Sequence, residues 1–146
     1  MPLIPDVINY LIGVSAVSAI TTRIYRQQAP QATAYPYVIV ARDTGNPTHH
    51  LSGTSSVRID RVSITGFTAP TTGSGMAAAD ALGTVLQNAL DNYRGAIGTT
   101  GTVSILLVED PEAWFQPQDG SQRAAYAIEQ VYQIEYPSIT PDPTEE

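Results

Sequence analysis

The sequence contains no cysteine and only two histidines, and these shortages remove several kinds of chemistry at once. Disulfide bonds, thiolate nucleophiles and cysteine-bound metals are excluded, and the protein needs no oxidising compartment. The histidines, His49 and His50, are adjacent, so on an extended segment their side chains point in opposite directions. No HxH or HExxH spacing is present, and we expect neither a metal nor another cofactor.

Lysine is absent as well, and all seven basic residues are arginine. Two explanations for the exclusive use of arginine stay open. Arginine suits ion pairs at interfaces because its guanidinium group binds a carboxylate with two hydrogen bonds, or the base composition of the genome favours arginine codons. The formal net charge is -7, so no strong attraction to nucleic-acid phosphates is expected. No basic stripe is interleaved with aromatic residues, which disfavours sequence-specific binding of nucleic acid.

No apolar run is long enough to cross a membrane, for which about 20 residues are needed. The apolar stretch near the N-terminus, residues 7–20, is interrupted by Asn9, Ser15 and Ser18. No basic segment precedes it, as a signal peptide would require. We therefore expect a soluble, unexported protein with no membrane partner.

The chain does contain enough apolar residues for a packed core. Of its 146 residues, 42% are hydrophobic and 14% are charged, which is typical of one compact domain. We assign that domain to residues 1–137. Residues 138–146 contain two prolines and end in Glu145 and Glu146, which predicts a flexible acidic tail.

The periodic segments follow one another in the order α-β-β-β-α-β-β. In the second helix, apolar residues recur at three- and four-residue spacing, as in a helix packed on a sheet. In the last strand, Tyr and Ile occupy even positions while Glu129, Gln133 and Glu135 occupy odd ones. The order predicts an α+β fold, a mainly antiparallel sheet with two helices packed on one face. The predicted helices cover residues 5–20 and 76–93, and the predicted strands cover residues 23–27, 37–41, 57–67, 103–108 and 126–136.

The strand at residues 57–67 has an irregular alternation. Val57 and Ile59 lie at odd positions, whereas Val62 and Ile64 lie at even ones. One face cannot bury both pairs unless a residue is inserted, which predicts a β-bulge or sharp bend near Asp60 and Arg61. A strand covered on both faces is the competing explanation.

Two segments between the predicted elements are candidates for a contact surface. Residues 43–56 contain Gly45, Pro47 and Gly53, which predicts a long loop of the kind that often carries function. Residues 109–121 form a predicted acidic loop with two large aromatic side chains, which either turn back into the core or anchor a partner. The candidate partner-interface residues are Asp43, His49, His50, Leu51, Arg58, Arg61, Trp114 and Phe115.

Nothing in the sequence requires an enzyme. The segment Gly73-Ser74-Gly75 lacks the lysine of a phosphate-binding loop, and helix capping accounts for the serine. Glu109, Asp110 and Glu112 lie close together, but they do not follow the pattern of a calcium loop. No serine lies in a GxSxG motif. We therefore predict no catalytic residues.

An ordered set of segments resembles the tail-completion proteins of long-tailed phages, also called tail terminators or head–tail joining proteins. The resemblance covers roughly residues 6–95 well and the last two predicted strands more loosely. Residues 109–121 are longer than the connecting turn of that family, and the acidic C-terminal residues are not part of its pattern. The segments that carry it are Arg23-Ile24-Tyr25, Ala29-Pro30-Gln31, Tyr35-Pro36-Tyr37-Val38-Ile39-Val40, His50-Leu51-Ser52-Gly53, the strand at 57–67 and the helix at 77–93 with its Leu-Gln-Asn-Ala-Leu centre.

The resemblance implies a subunit that assembles as a ring, typically a homohexamer. Such a ring caps the head-proximal end of the tail tube, ends tube polymerisation and offers a docking surface for the head connector. Its partners are then other copies of itself, the tail-tube protein, the head-completion protein, and DNA that passes through the lumen without specific binding. The expected location is the neck region of the virion tail, with the host cytoplasm during assembly. Gene transfer agents use similar parts.

Three alternatives remain at the level of the sequence. A tail-tube subunit or another neck protein also forms rings from a small α+β domain. A small-ligand or peptide-binding module would use residues 43–56. A hydrolase would use the carboxylates around Glu109.

Overall fold

The structure is a computed structural model of the chain, and it describes most of the residues. For residues 43–50, 53–57, 75 and 137 it describes the backbone alone. The described residues are 3–30, 33–50, 53–70, 75–98, 100–109, 111–117 and 124–137. Within them the elements are α1 (Leu3–Gly13), α2 (Ser15–Ser18), β1 (Ile24–Arg26), β2 (Tyr37–His50), β3 (Gly53–Thr68), α3 (Gly75–Leu90), β4 (Arg94–Ile97), β5 (Gly101–Leu107), β6 (Glu112–Gln116) and β7 (Ala125–Pro137).

The strands form one sheet in the order β1-β2-β3-β7-β5-β4. The pairing of β1 with β2 is parallel, and the other pairings are antiparallel. Strand β7 is the centre of the sheet, because β3 pairs along one of its edges while β5 and β6 share the other. The predicted α+β class with a mainly antiparallel sheet is confirmed.

The helices pack on one face of this sheet and close the core there. In β7, the even-numbered residues face the helices and are buried from Ile128 to Tyr136, whereas Glu129 and Glu135 are exposed, as the alternation predicts. The opposite face, which we call the outer face, carries no helix among the described residues. The core joins Leu3, Val7, Leu11, Val17, Leu82, Leu86 and Leu90 from the helices with Val38, Val40, Val62, Ile64, Val103, Ile105, Tyr132 and Ile134 from the sheet.

The predicted first helix is divided in two. Val14 has an extended conformation (φ −82°, ψ 116°), and it separates α1 from α2. Gly13 precedes the break, and glycine favours a helix less than any residue except proline. Because the break changes the helical phase, Val17 is fully buried and Val14 is not.

A buried carboxylate connects α1 to the turn between β4 and β5, at one edge of the sheet. Asp6 Oδ2 accepts hydrogen bonds from the backbone N–H of Thr100 at 2.8 Å and from its hydroxyl at 2.6 Å. Gly98 lies beside it with φ +47°, and a Cβ there would stand 2.2 Å from Asp6 Oδ1. The turn between β4 and β5 therefore requires glycine at this position for both conformation and space.

The predicted loop at residues 43–56 is wrong for the described residues, because β2 continues to His50 and β3 begins at Gly53, and the two strands pair as a long hairpin. Residues 51–52 lie outside the description. His49 pairs with Thr54, and His50 pairs with Gly53. The prediction failed because Gly45 and Pro47 indicate a loop when the chain is read locally. Beyond Val40 nothing described pairs with the far edge of β2, and edge strands tolerate proline.

The predicted bulge near Asp60 and Arg61 lies in the neighbouring strand instead. The register between β2 and β3 shifts between Arg42 and Thr44, so the inserted residue is Asp43 in β2. The register between β3 and β7 is continuous through this region. The alternation of β3 changes because the helix-facing position at residue 60 holds a buried carboxylate instead of an apolar side chain.

The acidic loop predicted at residues 109–121 contains strand β6. This strand pairs with the first residues of β7, from Glu112 opposite Glu129 to Gln116 opposite Ala125. Its sequence is too short to give a period, and its strand conformation depends on the neighbouring β7.

Candidate partner-binding site

The β2–β3 hairpin extends beyond the rest of the sheet. Strand β7 pairs with β3 only as far as Val57, so the backbone of residues 48–50 and 53–56 extends beyond it. Within these residues His49 pairs with Thr54 and His50 with Gly53, after a register shift between Pro47 and His49. We call these residues the hairpin overhang. The backbone groups along the outer edge of β2 have no strand partner beyond Val40 in the described part of the chain. Such an edge is able to pair with another chain.

Several sequence-predicted interface residues lie in this hairpin. Asp43 occupies the bulge, and His49 and His50 belong to the overhang. The structure describes only the backbone of these three residues, and it does not describe Leu51. That this region is a contact surface stays a prediction, and the region is a pair of extended strands instead of a loop.

A charged cluster joins three strands at the base of the overhang. Asp60 is fully buried, and its Oδ1 lies 3.1 Å from Arg58 Nε. Its Oδ2 lies 2.9 Å from Arg42 Nη2 and accepts a 2.7 Å hydrogen bond from the Tyr136 hydroxyl. We call these four residues the Asp60 cluster. It fixes β2 and β7 to β3 where the hairpin leaves the sheet.

The protonation states of Arg58 and Tyr136 suit this role. The hydrogen bond to Asp60 raises the pKa of Arg58 above its ordinary value, although burial opposes it. Burial, followed by the neighbouring Asp60 carboxylate, raises the pKa of Tyr136 to about 12. Tyr136 therefore remains a neutral hydrogen-bond donor at neutral pH, and Arg58 remains charged.

Stability is expected to fall above pH ~10 in a way that depends on Tyr136. Below that pH, folded and unfolded chains both keep the tyrosine proton. Between pH ~10 and about 12 only the folded chain keeps it, so rising pH removes about 2 to 3 kcal/mol of stability. Urea denaturation at a series of pH values measures this loss. Tyr136→Phe should flatten the decline, and parallel curves for the two proteins would contradict the assignment.

Arg58 and Arg61 do not lie together, although both were predicted at the interface. They are three positions apart in β3, which places their side chains on opposite faces. Arg58 contacts Asp60 on the helix-covered side, while Arg61 is exposed on the outer face opposite Gln133.

Trp114 and Phe115 are exposed, so the interpretation that they turn back into the core is wrong. Trp114 is 40% exposed and Phe115 is 47% exposed. Both belong to β6, the edge strand at this end of the sheet, where the core is already filled by residues such as Ile128. Phe115 lies on the helix-covered side with its ring 5.1 Å from that of Tyr126, and Trp114 lies on the outer face.

The outer face carries an aromatic row that sequence reasoning missed. The rings of Tyr35 and Tyr37 stack with centroids 5.6 Å apart, and those of Tyr37 and Phe67 stack at 4.9 Å. Phe67 pairs with Ala127, which in turn pairs with Trp114. Ala127 has no exposure, which fits the large side chains on both neighbouring strands. The row depends on the register between strands, which no local pattern reveals.

In the described part of the chain, no three His, Asp or Glu side chains are close enough to hold a metal ion. No helix there is long and apolar enough to span a membrane. Glu109 and Glu112 are both exposed, whereas Asp110 and residues 73–74 fall outside the description.

The fold of this chain also occurs in solved structures. A chain from the virion of a native gene transfer agent particle superposes with a TM-score of 0.69. The match covers 93% of this chain and 95% of that chain, at 17% sequence identity. The two chains share a fold. No family model and no curated protein matches this sequence.

Proposed function

We propose that the protein is a non-catalytic structural subunit of a phage-like virion. The observation that carries the proposal is the shared fold with a chain of a gene transfer agent virion, which covers nearly all of both chains. The ordered segments that resemble tail-completion proteins support the same class independently of the superposition.

Within that class we propose the role of a tail terminator. Copies of residues 1–137 assemble as a ring, with the hexamer as the expected form, on the head-proximal end of the tail tube. The ring ends tube growth and offers a docking surface for the head connector. Residues 138–146, predicted to be a flexible acidic tail, lie outside the described residues. The protein acts in the neck region of the virion after assembly in the host cytoplasm.

The hairpin overhang is the proposed contact between neighbouring subunits. A head-to-tail contact joins two different surfaces of neighbouring subunits. It closes into a ring when the rotation between one subunit and the next completes a full circle. The overhang supplies one such surface, because it protrudes from the sheet and its base is fixed by Asp60. The predicted interface residues Asp43, His49 and His50 all lie in this hairpin.

The net charge of -7 suits a subunit through which DNA passes. Carboxylates that line a lumen repel phosphates, so a genome slides through without binding.

Tube elongation tests the terminator role directly. Tail tubes of the same particle are incubated with the purified protein, free tube subunits are then added, and tube lengths are measured by electron microscopy. A terminator should stop elongation at stoichiometric amounts of rings. Unchanged growth overturns the proposal, and incorporation of the protein along the tube identifies it as a tube subunit.

A further inference from the structure

One part of the outer face combines aromatic rings with carboxylates. Side chains that pair directly across an antiparallel sheet lie on the same face, and residues two positions apart along a strand do so too. One row across the strands therefore runs Tyr37, Phe67, Ala127, Trp114, and the adjacent row runs Ile39, Thr65, Glu129, Glu112. We call Tyr37, Phe67, Trp114, Glu112 and Glu129 the aromatic–acidic patch.

The rings of this patch are accessible to a partner. Trp114 is 40% exposed, and Tyr37 and Phe67 are half-buried. The stacking of Tyr37 on Phe67 gives the surface a fixed shape before any partner arrives. Exposed aromatic surface bordered by polar residues is typical of interaction sites.

The two carboxylates give the patch its chemical preference. Glu112 and Glu129 are exposed and stand directly opposite each other on β6 and β7. Like charges in this position repel and destabilise a sheet. Among the described residues neither forms an ion pair, and Glu129 accepts one hydrogen bond, from Ser63 Oγ at 3.1 Å. A cation between the carboxylates removes the repulsion.

We infer that the aromatic–acidic patch binds a cationic segment of another protein, with an arginine or lysine side chain as its anchor. Tryptophan is the strongest cation–π acceptor among side chains, and carboxylates bind guanidinium with two hydrogen bonds. Trp114 and Glu129 are diagonal neighbours about 7 to 8 Å apart, a separation that one guanidinium can bridge. Nucleic acid does not fit, because its phosphates are repelled by both carboxylates. The inference stands independently of the terminator role.

Tryptophan fluorescence tests the inference, because Trp114 is the only tryptophan of the chain. The full-length protein is titrated with a hexa-arginine amide peptide, and Trp114 emission is recorded under selective excitation. We expect a saturable change in emission. Glu112→Gln and Glu129→Gln should each weaken binding by about tenfold, as loss of a charged partner at an interface does. Glu135→Gln is the matched control, since Glu135 is exposed on the same face of β7 and outside the patch; its effect should stay within about twofold.

Three results overturn the inference. Equal weakening by all three glutamine variants means that the peptide responds to net charge alone. Binding detected by anisotropy of a labelled peptide, without any change in Trp114 emission, places the peptide elsewhere. Sedimentation of the protein without peptide tests whether the patch binds a second copy of this chain. Self-association that Trp114→Ala abolishes would assign the patch to that second copy and overturn the cationic partner. Folding is checked separately, because removal of the Glu112–Glu129 repulsion should raise the thermal midpoint of both patch variants.

Discussion

Asp60→Ala is expected to destabilise the folded protein by about 3 to 5 kcal/mol, the usual cost of removing one partner from a buried ion pair. The carboxylate is fully buried, and it receives Arg58, Arg42 and the Tyr136 hydroxyl. Its loss leaves two guanidinium groups and a buried hydroxyl without their acceptor. Urea denaturation at neutral pH measures the change.

Two companion variants make the Asp60 result specific. Asp80→Ala removes an exposed carboxylate on α3 and should cost less than about 0.5 kcal/mol. Asp60→Asn keeps an acceptor oxygen but removes the charge, so its cost should lie between the two. If Asp60→Ala costs no more than Asp80→Ala, the cluster does not fix the hairpin base.

Removal of the hairpin overhang is expected to abolish ring assembly while the domain stays folded. The variant replaces residues 48–57 with Asn-Gly, a pair that favours the tight turn of a two-residue hairpin. Pro47 and Arg58, which are paired in the full hairpin, then flank the new turn. Association should weaken by at least about a hundredfold, the equivalent of losing roughly 3 kcal/mol of interface free energy. Native mass measured over a concentration series reports the change.

The control for the hairpin variant is Asn88→Ala, a substitution at an exposed position of α3. It should assemble like the unmodified protein. Circular dichroism must show a cooperative thermal transition for the hairpin variant, because β3 still pairs with β7 from Arg58 to Thr68. Rings that form without the overhang would assign the subunit contact to another surface.

The parts of the fold that the sequence predicted well are those with a strong local period. The two-residue alternation of β7 correctly assigned Tyr132, Ile134 and Tyr136 to the buried face. The spacing in α3 correctly identified Leu82 and Leu86 as core residues. In both elements the burial of each side chain follows from its position along a single segment.

The elements that the sequence missed are stabilised by partners distant in the chain. The hairpin beyond Arg42 and strand β6 contain residues that favour loops locally, and their conformation comes from pairing with β3 and β7. The bulge was placed in β3 because Val57 and Val62 differ in parity. The actual cause, a buried Asp60 with neighbours from β2 and β7, could not be read from one segment.

The candidate site shows the same division. Trp114 and Phe115 were identified as notable residues, but their exposure depends on the edge position of β6. Tyr37 and Phe67 were not identified as candidate interface residues, because their stacking requires the register between β2 and β3. Register is a property of the assembled sheet and not of either strand.

The native mass of the purified protein, measured together with negative-stain images over a concentration series, tests the central claim most directly. The account predicts one discrete ring, with the mass of a hexamer as its expected value, and no filaments at any concentration. Filaments would identify a tube subunit instead. A monomer at every concentration, even when tail tubes are present to act as a template, would contradict assembly as a ring.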